Sequence, residues 1–139
     1  MKNDADHALG WMAKADSDLK TLRVLLDADL PHDTACFHAQ QAAEKYLKAV
    51  LAASGRAIVK THVLVDLLAI VRDLHPRFEA SAEELATLTK YATSSRYRLD
   101  FWPDREKTEA ALAMAERVRQ AVINVLPPGI HLAAENETS

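Results

Sequence analysis

Residues 90–105, KYATSSRYRLDFWPDR, interleave cations with aromatic rings. Lys90, Arg96, Arg98 and Arg105 alternate with Tyr91, Tyr97, Phe101 and Trp102. Arginine pairs with phosphate and bases stack on aromatic rings, so this composition suits a nucleotide or single-stranded RNA. It equally suits a protein interface, where aromatic residues and arginine concentrate. A purely structural alternative has Phe101 and Trp102 as core anchors and the arginines paired with Asp100, Asp104 and Glu106. Ser94 and Ser95 have no evident base nearby in sequence, so a serine nucleophile is not expected.

A second group with chemical potential is Gln40 and Glu44. Their segment, FHAQQAAEKYLKAVLA, has helical periodicity. With Cys36 at zero and about 100° per residue, Ala43, Leu47 and Leu51 fall at about 340°, 20° and 60°. Gln40 at about 40° and Glu44 at about 80° lie inside that apolar arc. His38, Gln41, Lys45 and Lys48 occupy the polar arc, where a solvated face is expected. A carboxylate among apolar side chains is costly unless paired and hydrogen-bonded. Glu44 and Gln40 therefore form an expected buried polar anchor, with Arg96, Arg98, Tyr91 or a second copy of the chain as candidate partners. A functional alternative has Glu44 orienting an arginine at a nucleotide site.

Helices must carry these groups. The 139 residues hold three glycines and five prolines, and no Val/Ile/Thr-rich alternating run occurs. The first helix is expected from about Asp6 to Asp27, with Trp11, Ala15, Leu19, Leu22 and Leu26 inward and Asp16, Lys20 and Arg23 on other faces. The second runs from Pro31 or Asp33 to Ala53, ended by Ser54-Gly55. Thr61, aided by His62, is placed at the start of a short third helix reaching Leu74. Ser81 and Glu84 form a capping box before a fourth, reaching about Ser94. Pro103 and Asp104 open the fifth, with Ala111, Met114 or Ala115, Val118, Val122 and Leu126 along one face. The expected fold is all-α, an up-and-down antiparallel bundle of four long helices plus one short one. Residues 1–128 form a single domain, and 129–139 a disordered polar tail.

Bulk properties narrow the classes. A net charge of -3 argues against non-specific nucleic-acid binding by the whole surface. No apolar run is long enough to span a membrane and no signal-peptide pattern opens the chain, so a cytoplasmic location is expected. The lone Cys36 cannot form an internal disulfide. No His/Cys/Asp/Glu cluster has ligand spacing and no glycine-rich phosphate loop is present, so no metal and no cofactor are expected.

The runs CFHAQQAAEKYLKAVLAASG, KTHVLVDLL and YATSSRYRLDFW, in that order after WMAKADSDLKTLRVLL, resemble the HEPN domain family over about residues 8 to 126. The resemblance implies an α-helical bundle and a homodimer. It also implies a partnership with a minimal nucleotidyltransferase in a toxin-antitoxin-like pair, with possible nucleotide or RNA binding. Some members are metal-independent ribonucleases carrying an arginine followed, after four to six residues, by a histidine. Counted from Arg96, that window holds Phe101, Trp102 and Pro103; from Arg98 it holds Pro103, Asp104 and Arg105. RNA cleavage without metal needs a group titrating near neutrality, and arginine cannot act as a base. The chain thus resembles members with an Arg-Tyr pair and no catalytic histidine, with catalysis weak or absent. The alternatives are an active ribonuclease using Arg96 and a histidine from elsewhere, such as His38, and a nucleotide-binding or structural dimeric subunit. Arg56 and His62 also match the spacing, but in another loop, and such a match is expected by chance.

Overall fold

A computed structural model describes residues 3–29 and 31–130, and of residues 94–97 the backbone. Among the described residues the helices run in the order α1 (Asp4–Asp27), α2 (His32–Ala53), α3 (Leu64–Leu74), α4 (Ala82–Tyr97) and α5 (Arg105–Val125). No strand occurs among the described residues.

Local chemistry sets the boundaries. Asn3 caps α1: its side-chain oxygen accepts from Asp6 N–H at 2.9 Å, and the Asp6 carboxylate accepts from Asn3 N–H at 3.2 Å. This reciprocal box starts the helix two residues earlier than the apolar pattern does. Asp29, at φ 60°, takes the left-handed conformation that turns the chain out of α1. Pro31 then stands at the N-cap of α2. The link is short, so α1 and α2 pack as an antiparallel pair. Asp104 caps α5 by accepting from Lys107 N–H at 2.9 Å. Ser81 caps α4 by accepting from Glu84 N–H at 3.1 Å. The Glu84 carboxylate itself turns to Arg117 on α5.

The start of α3 differs from the sequence reading. Val63, not Thr61, is its N-cap residue. Thr61 Oγ1 accepts only from Val63 N–H, and the Leu64 N–H donates to Thr89 Oγ1 of α4 at 3.1 Å. A tertiary contact thus caps this helix, which no local pattern could reveal. α4 also runs on to Tyr97, past the expected end near Ser94.

α2 is the hub, touching all four other helices. Ala35, Ala39, Ala42, Ala43, Ala49 and Ala52 are buried along it, and their small side chains admit neighbours on several sides. Tyr46, Leu47 and Leu51 share one buried core with Met12, Leu19 and Leu22 of α1 and with Val118, Val122 and Ile123 of α5. The chain turns again at 128–130, where Ile130 is buried against this core. Residues 131–139 lie outside the described residues.

Candidate functional site

Three polar constellations decorate this frame. The first surrounds Glu44. Gln40 and Glu44 project from adjacent turns of α2, are 0% and 4% exposed, and meet at 3.2 Å. Glu44 accepts from Lys48 Nζ at 2.9 Å on Oε2 and lies 2.6 Å from His62 Nδ1 on Oε1. Gln40 also reaches the His62 carbonyl at 3.4 Å and accepts from Gln41 at 2.7 Å. Burial pushes the Glu44 carboxyl up, but the bonds from Lys48 and His62 outweigh it and hold it below the usual carboxylate range. With Glu44 ionised, His62 must present an N–H from Nδ1. Its ring, 71% exposed, carries Nε2 as the remaining nitrogen.

Among the described residues, Glu44 is thus partnered by Gln40, Lys48 and His62. Arg98 pairs with Asp100 instead, and the Arg96 side chain lies outside the described residues. Lys48, assigned to a solvated face, is buried, because α1 covers that side of α2. Its ammonium sits 5.6 Å from the Trp11 ring centroid, within cation–π range. His62 holds the loop ahead of α3 against Glu44 rather than capping the helix.

The second constellation was missed by sequence reasoning. Asp16, placed on an outer face of the first helix, is 6% exposed. Its Oδ1 accepts from the Tyr46 hydroxyl of α2 and, at 3.0 Å, from Arg119 Nε of α5. Burial, and then the neighbouring carboxylate, push the Tyr46 hydroxyl far up, so it stays a donor. Two residues on, Asp18 accepts from Lys45 Nζ at 2.6 Å and lies 2.8 Å from His38 Nδ1. Burial raises the Asp18 carboxyl, and these two partners more than reverse it. His38 is thereby committed to α1. The one available signal was spacing: Asp16 shares an inward face with Met12 and Leu19.

The Glu44 and Asp18 shifts define an acid response. Both carboxyls titrate lower when folded than when unfolded, so their stabilisation is complete only above about pH 5, beyond the unfolded values, and is lost as pH falls from there through the lowered folded values. Urea midpoints should drop steeply below about pH 4, and Glu44→Gln should flatten the curve. An unchanged acid limb in that variant would remove Glu44 as the source.

The third constellation is the aromatic-basic segment. Lys90 and Arg98 are exposed, and Arg98 is stapled to Asp100 at 3.1 Å. The Tyr91 and Phe101 rings meet at 5.6 Å against the core, and burial pushes the Tyr91 hydroxyl up. Trp102 is no core anchor: it is 76% exposed, beside Leu99 at 91%. Pro103, next in the chain, is buried. Arg105 pairs with Asp29 at 3.3 Å and Glu109 at 2.9 Å, not with Asp104 or Glu106, and so ties α5 to the end of α1. The side chains of Arg96 and Tyr97 lie outside the described residues.

Among the described residues no group of three His, Cys, Asp or Glu is placed to hold a metal. No helix there is long and apolar enough to cross a membrane. Cys36 is buried and its thiol is pushed up to about 11 by desolvation, a poor nucleophile.

The HEPN domain family pattern matches residues 8–126. The crystal structure of TT1696 from Thermus thermophilus is similar at 29% identity, with a TM-score of 0.73, covering 85% of this chain and 97% of that one. No curated protein matches the chain.

Proposed function

Because the chain belongs to the HEPN domain family, we propose that it acts as a homodimeric binding partner of a minimal nucleotidyltransferase in a toxin-antitoxin-like pair. Its own catalysis is weak or absent, and nucleotide or RNA contact is secondary. The observation that carries this reading is Trp102. A tryptophan 76% exposed, next to an almost fully exposed Leu99, is unusual unless something covers it. Arg98, four residues before it in the chain, is held by Asp100, and aromatic residues with arginine are the composition of an interface anchor. The missing histidine after Arg96 and Arg98 supports a partner role over a nuclease role.

Co-expression with a nucleotidyltransferase encoded beside this gene tests the proposal. The two chains should co-purify, and Trp102→Ala should cut retention at least about tenfold, as loss of a hot-spot anchor does. Its stability should stay within the range of a surface change, about 0.5 kcal/mol. A tight complex unaffected by Trp102→Ala would sink this assignment of the interface.

The ribonuclease reading draws on a different observation, the exposed His62 ring held by Glu44. A carboxylate-oriented imidazole is a competent general base. RNA cleavage in chelator that vanishes in His62→Ala and in Arg96→Ala would favour it over the partner role.

A further inference from the structure

The Asp16 constellation carries a feature that structural pairing does not use. Both of its bonds, from Tyr46 and Arg119, go to Oδ1. Oδ2 is buried and has no hydrogen-bond partner among the described residues. A buried acceptor left unmet costs free energy comparable to a lost hydrogen bond. The same carboxylate borders a groove of about 160 Å³, lined also by Leu19, Lys20, Arg23 and Arg119. Three cations thus ring one carboxylate with a spare acceptor. Lys20 is exposed, and Arg23 is half exposed with a long 3.8 Å contact to Glu116.

We propose that this groove between α1 and α5 binds a tetrahedral phosphate oxyanion that still carries a proton. The charged oxygens face Lys20, Arg23 and Arg119, and the P–OH donates to Asp16. The terminal torsion of an aspartate is soft, so a small rotation brings Oδ2 to the groove. The cations supply attraction for any anion, and Asp16 supplies the choice. Sulfate has no proton near neutrality and would set an anionic oxygen against the carboxylate. The charged groups facing Asp16 are Lys20 and Arg23 on its own helix and Arg119 on α5, with Glu116 behind Arg23; Tyr46 of α2 faces it as a neutral donor. The assignment is independent of the Trp102 interface, which lies on a different segment.

Calorimetric titration with inorganic phosphate and with sulfate tests it. Phosphate should bind saturably, and sulfate at least about tenfold more weakly, the discrimination expected when a buried polar group is left unpaired. Asp16→Asn replaces the acceptor with an amide that donates to either anion, so the two affinities should converge to within about threefold. Should Asp16→Asn fail to fold, Lys20→Ala with Arg23→Ala serves, since both side chains are at the surface. That variant should melt like the parent and lose phosphate affinity about tenfold. Methyl phosphate separates the two sources of this chemistry. A site for a phosphate monoester end binds it at about pH 5.5 and releases it at about pH 8, where the last proton is gone. A site for the free ion rejects it at both. No saturable phosphate binding, equal binding of phosphate and sulfate by the parent, tighter methyl phosphate at the higher pH, or undiminished affinity in the Lys20/Arg23 variant would each overturn the proposal.

Discussion

Glu44→Ala should destabilise the protein by about 3 kcal/mol, which for a chain of this size is a fall of about 10 °C in melting temperature. The magnitude comes from what is left behind. Lys48 is buried, and its ammonium loses the carboxylate that compensates it. Gln40 loses its 3.2 Å contact, and His62 loses the bond that holds the loop ahead of α3. The cation–π contact with Trp11 remains, but at about 1–2 kcal/mol it does not replace an ion pair. Pairing Glu44→Met with Lys48→Met should recover much of the loss, because an apolar pair of similar volume asks for no compensation. A melt shift no larger than that of a surface substitution would refute the burial of this charge pair.

Asp16→Ala should cost a similar amount, about 3 kcal/mol, by another route. Asp16 bonds both Tyr46 on α2 and Arg119 on α5. Its removal leaves the buried Tyr46 hydroxyl without its acceptor and takes the counter-charge from a guanidinium only 17% exposed. The bonded carboxylate therefore fixes how three helices meet. Tyr46→Phe with Asp16→Leu and Arg119→Met removes these three polar groups together, and should be less destabilising than Asp16→Ala alone. Equilibrium unfolding in urea checks the order; a triple variant weaker than the single would show that packing, not the stranded polar groups, sets the cost.

The two carboxylates differ in how far the sequence reveals them. Gln40 and Glu44 lie within a continuous apolar stripe, so periodicity alone marks them as inward. Lys48 fell outside that stripe because a wheel assumes one buried face. α2 is surrounded, and its buried arc is much wider. The i,i+4 spacing of Glu44 and Lys48 was nevertheless a readable sign of pairing. His62 could not be found this way, since a loop contact depends on where the chain returns. Asp16 illustrates the deeper limit. Charged residues are rarely fully buried, so an aspartate is first assigned to water. Its partners stand 30 and 103 residues away, beyond any local pattern. Helix starts were legible at Ser81 and Asp104, which cap locally; the local Asn3 box was overlooked and α1 read two residues late, and the start of α3 was misplaced because its N–H is met by Thr89. The sequence left Trp102 open between an interface residue and a core anchor, since an aromatic side chain suits both; in the fold Trp102 is exposed and its neighbour Pro103 is buried.

The alanines of α2 also bear on how the molecule assembles. Alanine has no side-chain rotamers to freeze and the strongest intrinsic preference for a helix. Six of them lie buried in the helix that each of the others must meet. The segment that serves as common template is thus the one that loses least entropy on ordering. Its nearest sequence neighbour, α1, is also its most extensive partner, so the first long-range contacts close over a short loop. α5, which follows in the chain, then joins this pair through Arg119 and Arg105, both of which bond to α1.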